Sequence, residues 1–426
     1  MLKVGAAKAC ISPTPDLFPF TTFGDADKRT ELHDDLYTRA IVMDNGTTRA
    51  AIVNFDLVSV PDAESTKAML AEAGGIPVEN IMICATHNHD APHFGGMPPG
   101  TTAPEREIEQ SKKFLEIILA GAKQAVIDAV SKLRPAKYGY GKGESWINVS
   151  RDKQFEDGYW MQGNNYSRYC DKTLAVIKFV DEEGKLIAAM LNYPCHAVLG
   201  FVAKDFDGKI KVSSDWPGYA QNYAERRFGN DAIVLWTAGA EGNVNPVIGA
   251  GVYTYLDDGY AIHKNMPDGS AYVLMESLGG EFAIDAIRVI NGTHADRTEM
   301  PIQNVRTWVD LPSQKAPEGA DMGLNRMLAD NLLPLGPNGE HPEKHLVEML
   351  DDPEHPYPIE MSLLTLGGIA LVSVPLEIYC EIGRDMKAAS PWNETIVFTH
   401  TDSRFRSYVP DKTSKGHHVF QSFGNV

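Results

Sequence analysis

The stretch "LYTRAIVMDNGTTRAAIVNFDLVSV", residues 36–60, decides the fold class. Two β-branched runs flank Asn45-Gly46, a dipeptide that favours a tight hairpin because both positions tolerate a positive φ. An antiparallel pair so early in the chain argues against a parallel barrel, which alternates strand and helix from its first element. The next segment, "PDAESTKAMLAEAGG" (61–75), has helical spacing of its apolar residues and ends on a glycine pair. "ENIMICATH" (79–87) then reads as a buried strand. It delivers the cluster "THNHDAPH" at its carboxyl end, where active sites of α/β proteins sit.

The same alternation continues outward. A helix is predicted over 105–133, with Phe114, Ile117, Ile118, Ala125, Val126 and Val130 on one face. Strands are predicted at 136–142, 173–180 and 186–193, the last two joined round Glu183-Gly184. "LNYPCHAVLG" (191–200) again ends a strand with a histidine, His196. A helix over 214–230 takes Asp215 as its N-cap and closes on Gly229. "DAIVLWTAGAEGNVNP" (231–246) is strand running into a glycine-rich loop, and 271–292 is another helix. Residues 295–350 are polar and punctuated by Pro and Gly, which predicts loops and a short helix near 341–350. Residues 359–390 read as a hairpin turning at Gly367-Gly368, then a helix with Glu377 near its start. With no repeat and no linker of shifted composition, the expectation is α/β with α+β character: one large domain, 1–426, of mixed β-sheets flanked by helices.

Composition narrows the function. The 426 residues are 43% hydrophobic and 23% charged, an ordinary globular balance. The 39 Lys and Arg against 57 Asp and Glu leave a net charge of −18, which repels nucleic-acid phosphates and anionic membranes. Five scattered cysteines without a CxxC spacing suit reduced thiols in a cytoplasm. No apolar run approaches the ~18 residues of a membrane helix, and the start lacks a basic-then-apolar leader. The expected partner is a small-molecule substrate rather than nucleic acid or an integral membrane segment, and homo-oligomerisation is left open.

His87 and His89 lie two apart at a strand end, so in extended backbone both imidazoles point the same way and can converge on one ion or one substrate atom. A loop of solvated histidines is the bland alternative. The metallo-β-lactamase pattern HxHxDH wants its aspartate one position later than Asp90. The barrel amidohydrolase pattern wants HxH on the first strand of a parallel barrel. Neither matches.

A broader resemblance runs through "VGAAKACISP", "HDDLYTRAIVMDNG", "THNHDAPH", "NYPCHA", "SSDWPG", "TAGAEGNVNP", "VSVPLEIYCEIG" and "SYVPDK". In this order the segments resemble those of the neutral/alkaline ceramidase family, zinc-dependent hydrolases that cleave an amide bond on a large mixed α/β catalytic domain. The resemblance covers that catalytic domain and implies no immunoglobulin-like C-terminal domain within this sequence. It implies one Zn²⁺ held by His87, His196, Glu377 and Tyr408. It further implies that His89 and Arg151 act on the scissile carbonyl or the oxyanion. Two imidazoles, a carboxylate and a phenol are donors that suit Zn²⁺.

One departure matters. The family's serine nucleophile falls at about Gly239, which has no side chain, so metal-activated water is the expected attacking group. Glu241 and His89 are both candidates for delivering a proton to the leaving group. His93 and Phe94 are expected near the pocket mouth, with Asn243 a further candidate substrate contact. The expected function is a zinc-dependent hydrolase of a small or lipid-like amide, with a small polar amide, lactam or ester favoured. A metallo-esterase or lactonase with the same site, and a binding protein that kept the fold, are the alternatives.

Overall fold

Period-two alternation of apolar residues builds the layers. In the strand Tyr37–Asp44, Ile41 and Met43 enter one apolar cluster while Ala40 and Val42 enter another. Arg49–Phe55 divides likewise, Ile52 to one side and Ala51 and Val53 to the other. Strands covered on both faces are apolar throughout, which is why these runs are continuous in sequence. The computed structural model describes all residues except 22–27, 96–103, 155–159, 202, 230, 249–252, 256–260, 264–267, 316, 320–348, 403–406, 418, 420 and 423–426.

The first sheet has the order Ile81–Ala85, Arg49–Phe55, Tyr37–Asp44, Lys3–Cys10, Arg134–Pro135. Its first pair is parallel and the rest are antiparallel. The second has the order Ile233–Ala238, Leu186–Tyr193, Thr173–Val180, Lys137–Glu144, again with only the first pair parallel. The third has Ile302–Leu311, Tyr357–Leu366, Ile369–Ser373 and Glu394–Phe398, its last pair parallel.

Helices α1 (Ala63–Gly74) and α2 (Glu105–Ser131) cover one face of the first sheet through Leu70, Phe114, Ile118 and Ala125. Helices α3 (Asp215–Phe228) and α4 (Ser270–Gly292) cover one face of the second through Trp216, Ala220, Phe282 and Ile290. The inner faces of all three sheets share one cluster, with Ile52 and Met82 from the first, Ile177 and Met190 from the second, and Leu364, Leu371 and Phe398 from the third. The architecture is therefore mixed sheets flanked by helices. A smaller sheet, Trp160–Asn165, Asn148–Gln154, Val244–Pro246, leans against the second.

Local signals behave as their chemistry requires. Gly46 takes φ 89° in the first hairpin, and the Asn45 side chain accepts from the Thr47 and Thr48 N–H groups. Asp62 caps α1 by accepting from the Ser65 N–H, and Gly75 ends it in the left-handed region.

Four expectations need correction or fall outside. Ser214, not Asp215, flanks α3; Asp215 is its first residue, at φ 51°, with a buried carboxylate that accepts from the Trp216 and Gly200 N–H groups. Glu377 does not begin a helix: it lies on the two-residue strand Glu377–Ile378, and α5 (Cys380–Ala389) starts after it. Ile302–Leu311, read as loop, is a ten-residue edge strand that leaves Val305 and Trp308 exposed. The short helix expected near 341–350 falls mostly on 341–348, outside the described residues.

Candidate metal centre

Four strand ends converge on one buried place. His87 follows Ile81–Ala85, His196 follows Leu186–Tyr193, Glu241 follows Ile233–Ala238 and His400 follows Glu394–Phe398, each by two or three positions. His87 and His400 both sit at positive φ, 54° and 53°, an uncommon backbone for a non-glycine residue.

The hydrogen bonds of His87 and His196 fix their tautomers. His87 Nδ1 lies 2.9 Å from the Val58 carbonyl, and His196 Nδ1 lies 2.9 Å from the Val244 carbonyl. A carbonyl only accepts, so each Nδ1 carries the proton and each Nε2 is left with a bare lone pair. Burial holds both imidazoles well below their ordinary pKa, helped by His400 for His87 and by the Arg151 charge for His196. They are neutral.

Those lone pairs face a carboxylate. His196 Nε2 is 3.2 Å and His87 Nε2 is 3.6 Å from Glu377 Oε2, with all three side chains buried. Three acceptor atoms without a proton between them repel one another in a dry site, and a cation removes that repulsion. The rings of His87 and His196 meet at 74° with centroids 5.0 Å apart, and a ligand atom of each lies within 4.8 Å of the other and of a Glu377 oxygen. Tyr408 pairs in register with Glu377 across the parallel ladder of Glu377–Ile378 and Tyr408–Val409. Its hydroxyl hydrogen-bonds with the Glu377 carboxylate and the Arg151 guanidinium, and burial, then the Glu377 charge, pushes its pKa up. The donor set fits a divalent cation.

His87, Glu241 and His400 form a second close group. Here the rings of His87 and His400 are stacked, 3.7 Å apart and tilted by 16°, so their in-plane lone pairs run side by side and do not meet at one ion. Glu241 Oε1 is 2.8 Å from His400 Nε2 but off the line of a hydrogen bond. Burial, reinforced by the Glu377 charge, raises the Glu241 pKa well above the usual carboxylate range. Glu241 is therefore suited to hold a proton beside the centre. His400 escaped the reading of the sequence; its signal was the placement in "IVFTHTD", two residues past an apolar strand, the same as that of His87.

The remaining candidates divide. His89 Nε2 is 3.0 Å from His87 Nε2 and, facing a bare lone pair, must be the donor. Arg151 is buried and bonds to the Gly242 carbonyl and the Asn245 amide oxygen, while its Nε has no hydrogen-bond partner among the described residues. His93 is half-buried, whereas Phe94 packs into the cluster under α2 with Ala91 and Phe114 rather than at a pocket mouth. The Asn243 amide is taken up at both ends, donating to Glu381 at 2.8 Å and accepting from the Cys380 N–H at 2.9 Å, so it is a strut and not a substrate contact. Gly239 lines a cavity of about 240 Å³ with Tyr140, Asn192 and Lys387, and none of the donors borders that cavity.

Fold and site together define a mixed-sheet α+β protein organised round a buried His-His-Glu set. Residues 3–250 match the family model described as neutral/alkaline non-lysosomal ceramidase, N-terminal, and the chain belongs to that family. It is similar to the neutral ceramidase of Pseudomonas aeruginosa, 25% identical over 265 residues that cover 57% of this chain and 37% of that one. The matched stretch thus spans well under half the length of that relative. Among solved structures, one titled "Ceramidase complexed with C2" superposes with a TM-score of 0.69 at 17% identity, covering 99% of this chain and 71% of that one. The neutral ceramidase structure from Pseudomonas aeruginosa gives 0.68 at 18% identity, covering 99% and 70%. At these identities the superpositions establish the fold.

Proposed function

We propose that this protein is a zinc-dependent hydrolase of N-acyl amides, and that its substrate is lipid-like, of the class the relatives' names denote. The observation that carries this reading is the trio of facing acceptors, His87 Nε2, His196 Nε2 and Glu377 Oε2, held without a proton between them. A binding protein that had lost catalysis has no reason to keep so costly an arrangement. The relatives move the proposal from the small polar amide favoured by composition toward a fatty amide.

A divalent cation held by His87, His196, Glu377 and Tyr408 would supply Lewis-acid polarisation of the acyl group and of water. The protein does the rest. The Val58 and Val244 carbonyls hold the two imidazoles in the ligating tautomer. With the His87 lone pair committed, the His89 N–H turns to the acyl oxygen, and Arg151 Nε offers a second donor where negative charge develops. Glu241, kept protonated by burial and by Glu377, is the proton source for the departing amine. No serine adduct is required at Gly239.

The test is hydrolysis of a short-chain N-acyl lipid amide and its matching ester by zinc-loaded protein, with the released acid and amine identified by mass spectrometry. Cleavage of the amide supports the proposal. Cleavage of the ester alone favours a metallo-esterase, and neither reaction with zinc stoichiometrically bound refutes both.

A further inference from the structure

Arg168 lies in the bend after the strand Trp160–Asn165, remote in sequence from every donor of the centre. A guanidinium has five N–H donors, and here each of its three nitrogens has a polar partner. Nε donates to Glu381 Oε1 at 2.8 Å. Nη2 donates to Asp411 Oδ1 at 2.9 Å and to Ser414 Oγ. Nη1 faces Asp152 Oδ2 at 3.5 Å and His417 Nδ1 at 3.2 Å. The side chain is only 12% exposed and the Asp152 carboxylate is fully buried, so these bonds are made largely out of water.

The partners belong to the segments that carry the site. Asp152 follows Arg151 directly, Asp411 lies three residues beyond Tyr408, and Glu381 lies four beyond Glu377. Glu381 also accepts from Asn243 Nδ2, while the Asn243 carbonyl accepts from the Arg151 N–H. One cation therefore fastens three separate stretches of chain and touches none of the metal donors. The ladder that holds Tyr408 beside Glu377 is two residues long on each side, its bonds running from the Glu377 N–H to Ser407 and from the Tyr379 N–H to Val409. So short a ladder fixes position poorly unaided.

We infer that Arg168 is a positioning residue for the Tyr408 donor: by clamping Asp411, Asp152 and Glu381 together, it sets the distance of the Tyr408 and Arg151 side chains from Glu377. The inference rests on the metal-centre reading above. Outer contacts of this kind typically shift metal affinity or turnover by about 10- to 100-fold when removed.

The experiment is a double-mutant cycle on the full chain with Arg168→Ala, Tyr408→Phe and the pair, read by the visible spectrum and dissociation constant of bound Co²⁺. Far-UV circular dichroism and the cooperativity of unfolding confirm that each variant is folded. Arg168→Ala is expected to bind Co²⁺ about tenfold more weakly with a spectrum like that of Tyr408→Phe, and to add little in the Tyr408→Phe background. Arg168→Lys, which keeps the charge and loses the fork, should fall between Arg168→Ala and wild type. Should Arg168→Ala fail to fold, Asp411→Asn, which loosens one arm alone, must move the spectrum the same way. Wild-type Co²⁺ binding with an unaltered Arg168→Ala spectrum, or additive losses in the double variant, overturns the clamp alone. A wild type that takes up no cobalt overturns the metal centre and the clamp with it.

Discussion

Asp215 offers a prediction whose size follows from its surroundings. Its carboxyl is fully buried at the start of α3, where burial first, and the neighbouring Asp90 carboxylate second, push its pKa from 3.8 up to about 8. The group binds its proton more tightly folded than unfolded. Its contribution to stability is therefore complete below the unfolded value and is lost as pH rises through the folded value. A single proton costs about 1.4 kcal/mol per pH unit in that window, tapering near the folded pKa, so wild type should lose about 2 kcal/mol between pH 6 and pH 8 from this residue. Asp215→Asn removes the titration. The amide keeps an acceptor for the Trp216 N–H but sets an NH₂ against the Gly200 N–H, a fixed loss that does not vary with pH. Urea unfolding followed by the emission of buried Trp216 at pH 6, 7 and 8 measures both proteins. The difference between wild type and Asp215→Asn should shrink, and can invert, as pH rises. Parallel pH dependences within about 0.5 kcal/mol refute the assignment of a raised pKa to this carboxyl.

Other outcomes follow from the centre. Alanine at His87 or His196 should each strip about one equivalent of zinc per chain, measured by elemental analysis of purified protein; full retention in either variant removes that histidine from the donor set. Alanine at His89 should leave the metal in place and lower kcat by about 10²–10³ with KM little changed, as expected for a lost oxyanion donor. Gly200→Ala puts a Cβ 1.4 Å from Asp90 Oδ2, against the buried Arg29–Asp90 ion pair of 2.8 Å; thermal melting should show a loss of several degrees or no fold, and a wild-type melt refutes the packing. Gly239→Ser should bring no acyl-enzyme, seen as the absence of a burst in pre-steady-state turnover.

The apolar core was legible because its strands are covered on both faces, leaving nearly unbroken apolar runs such as "IMICA" and "IVLW". The edge strand Ile302–Leu311 was not: with one side of its ladder open and most side chains solvated, the apolar residues of "IQNVRTWVDL" do not fall into a regular alternation. His87 and His196 stand out as histidines at strand ends, and His400 carries the same mark. Glu377 and Tyr408 have no periodic signature at all. Their roles depend on a two-residue ladder between distant segments, and only the ordered resemblance of the flanking motifs pointed to them. Asn243 looked like a substrate contact because a polar residue in a glycine-rich loop does; only the buried partners Glu381 and Cys380 reveal that its amide is consumed by structure.

The long reach of these contacts bears on how the protein is made. His196 meets Glu377 across 181 positions and Arg168 meets Asp411 across 243. Closing such spans is entropically slow compared with forming hairpins and helices, and synthesis delivers the amino-terminal part first. The first two sheets and their covering helices can consolidate on a growing chain while Glu377 and Tyr408 are still unmade. Until those strands arrive, His87 and His196 lack Glu377 and Tyr408 beside them, so the proposed metal centre can close only after most of the molecule has folded.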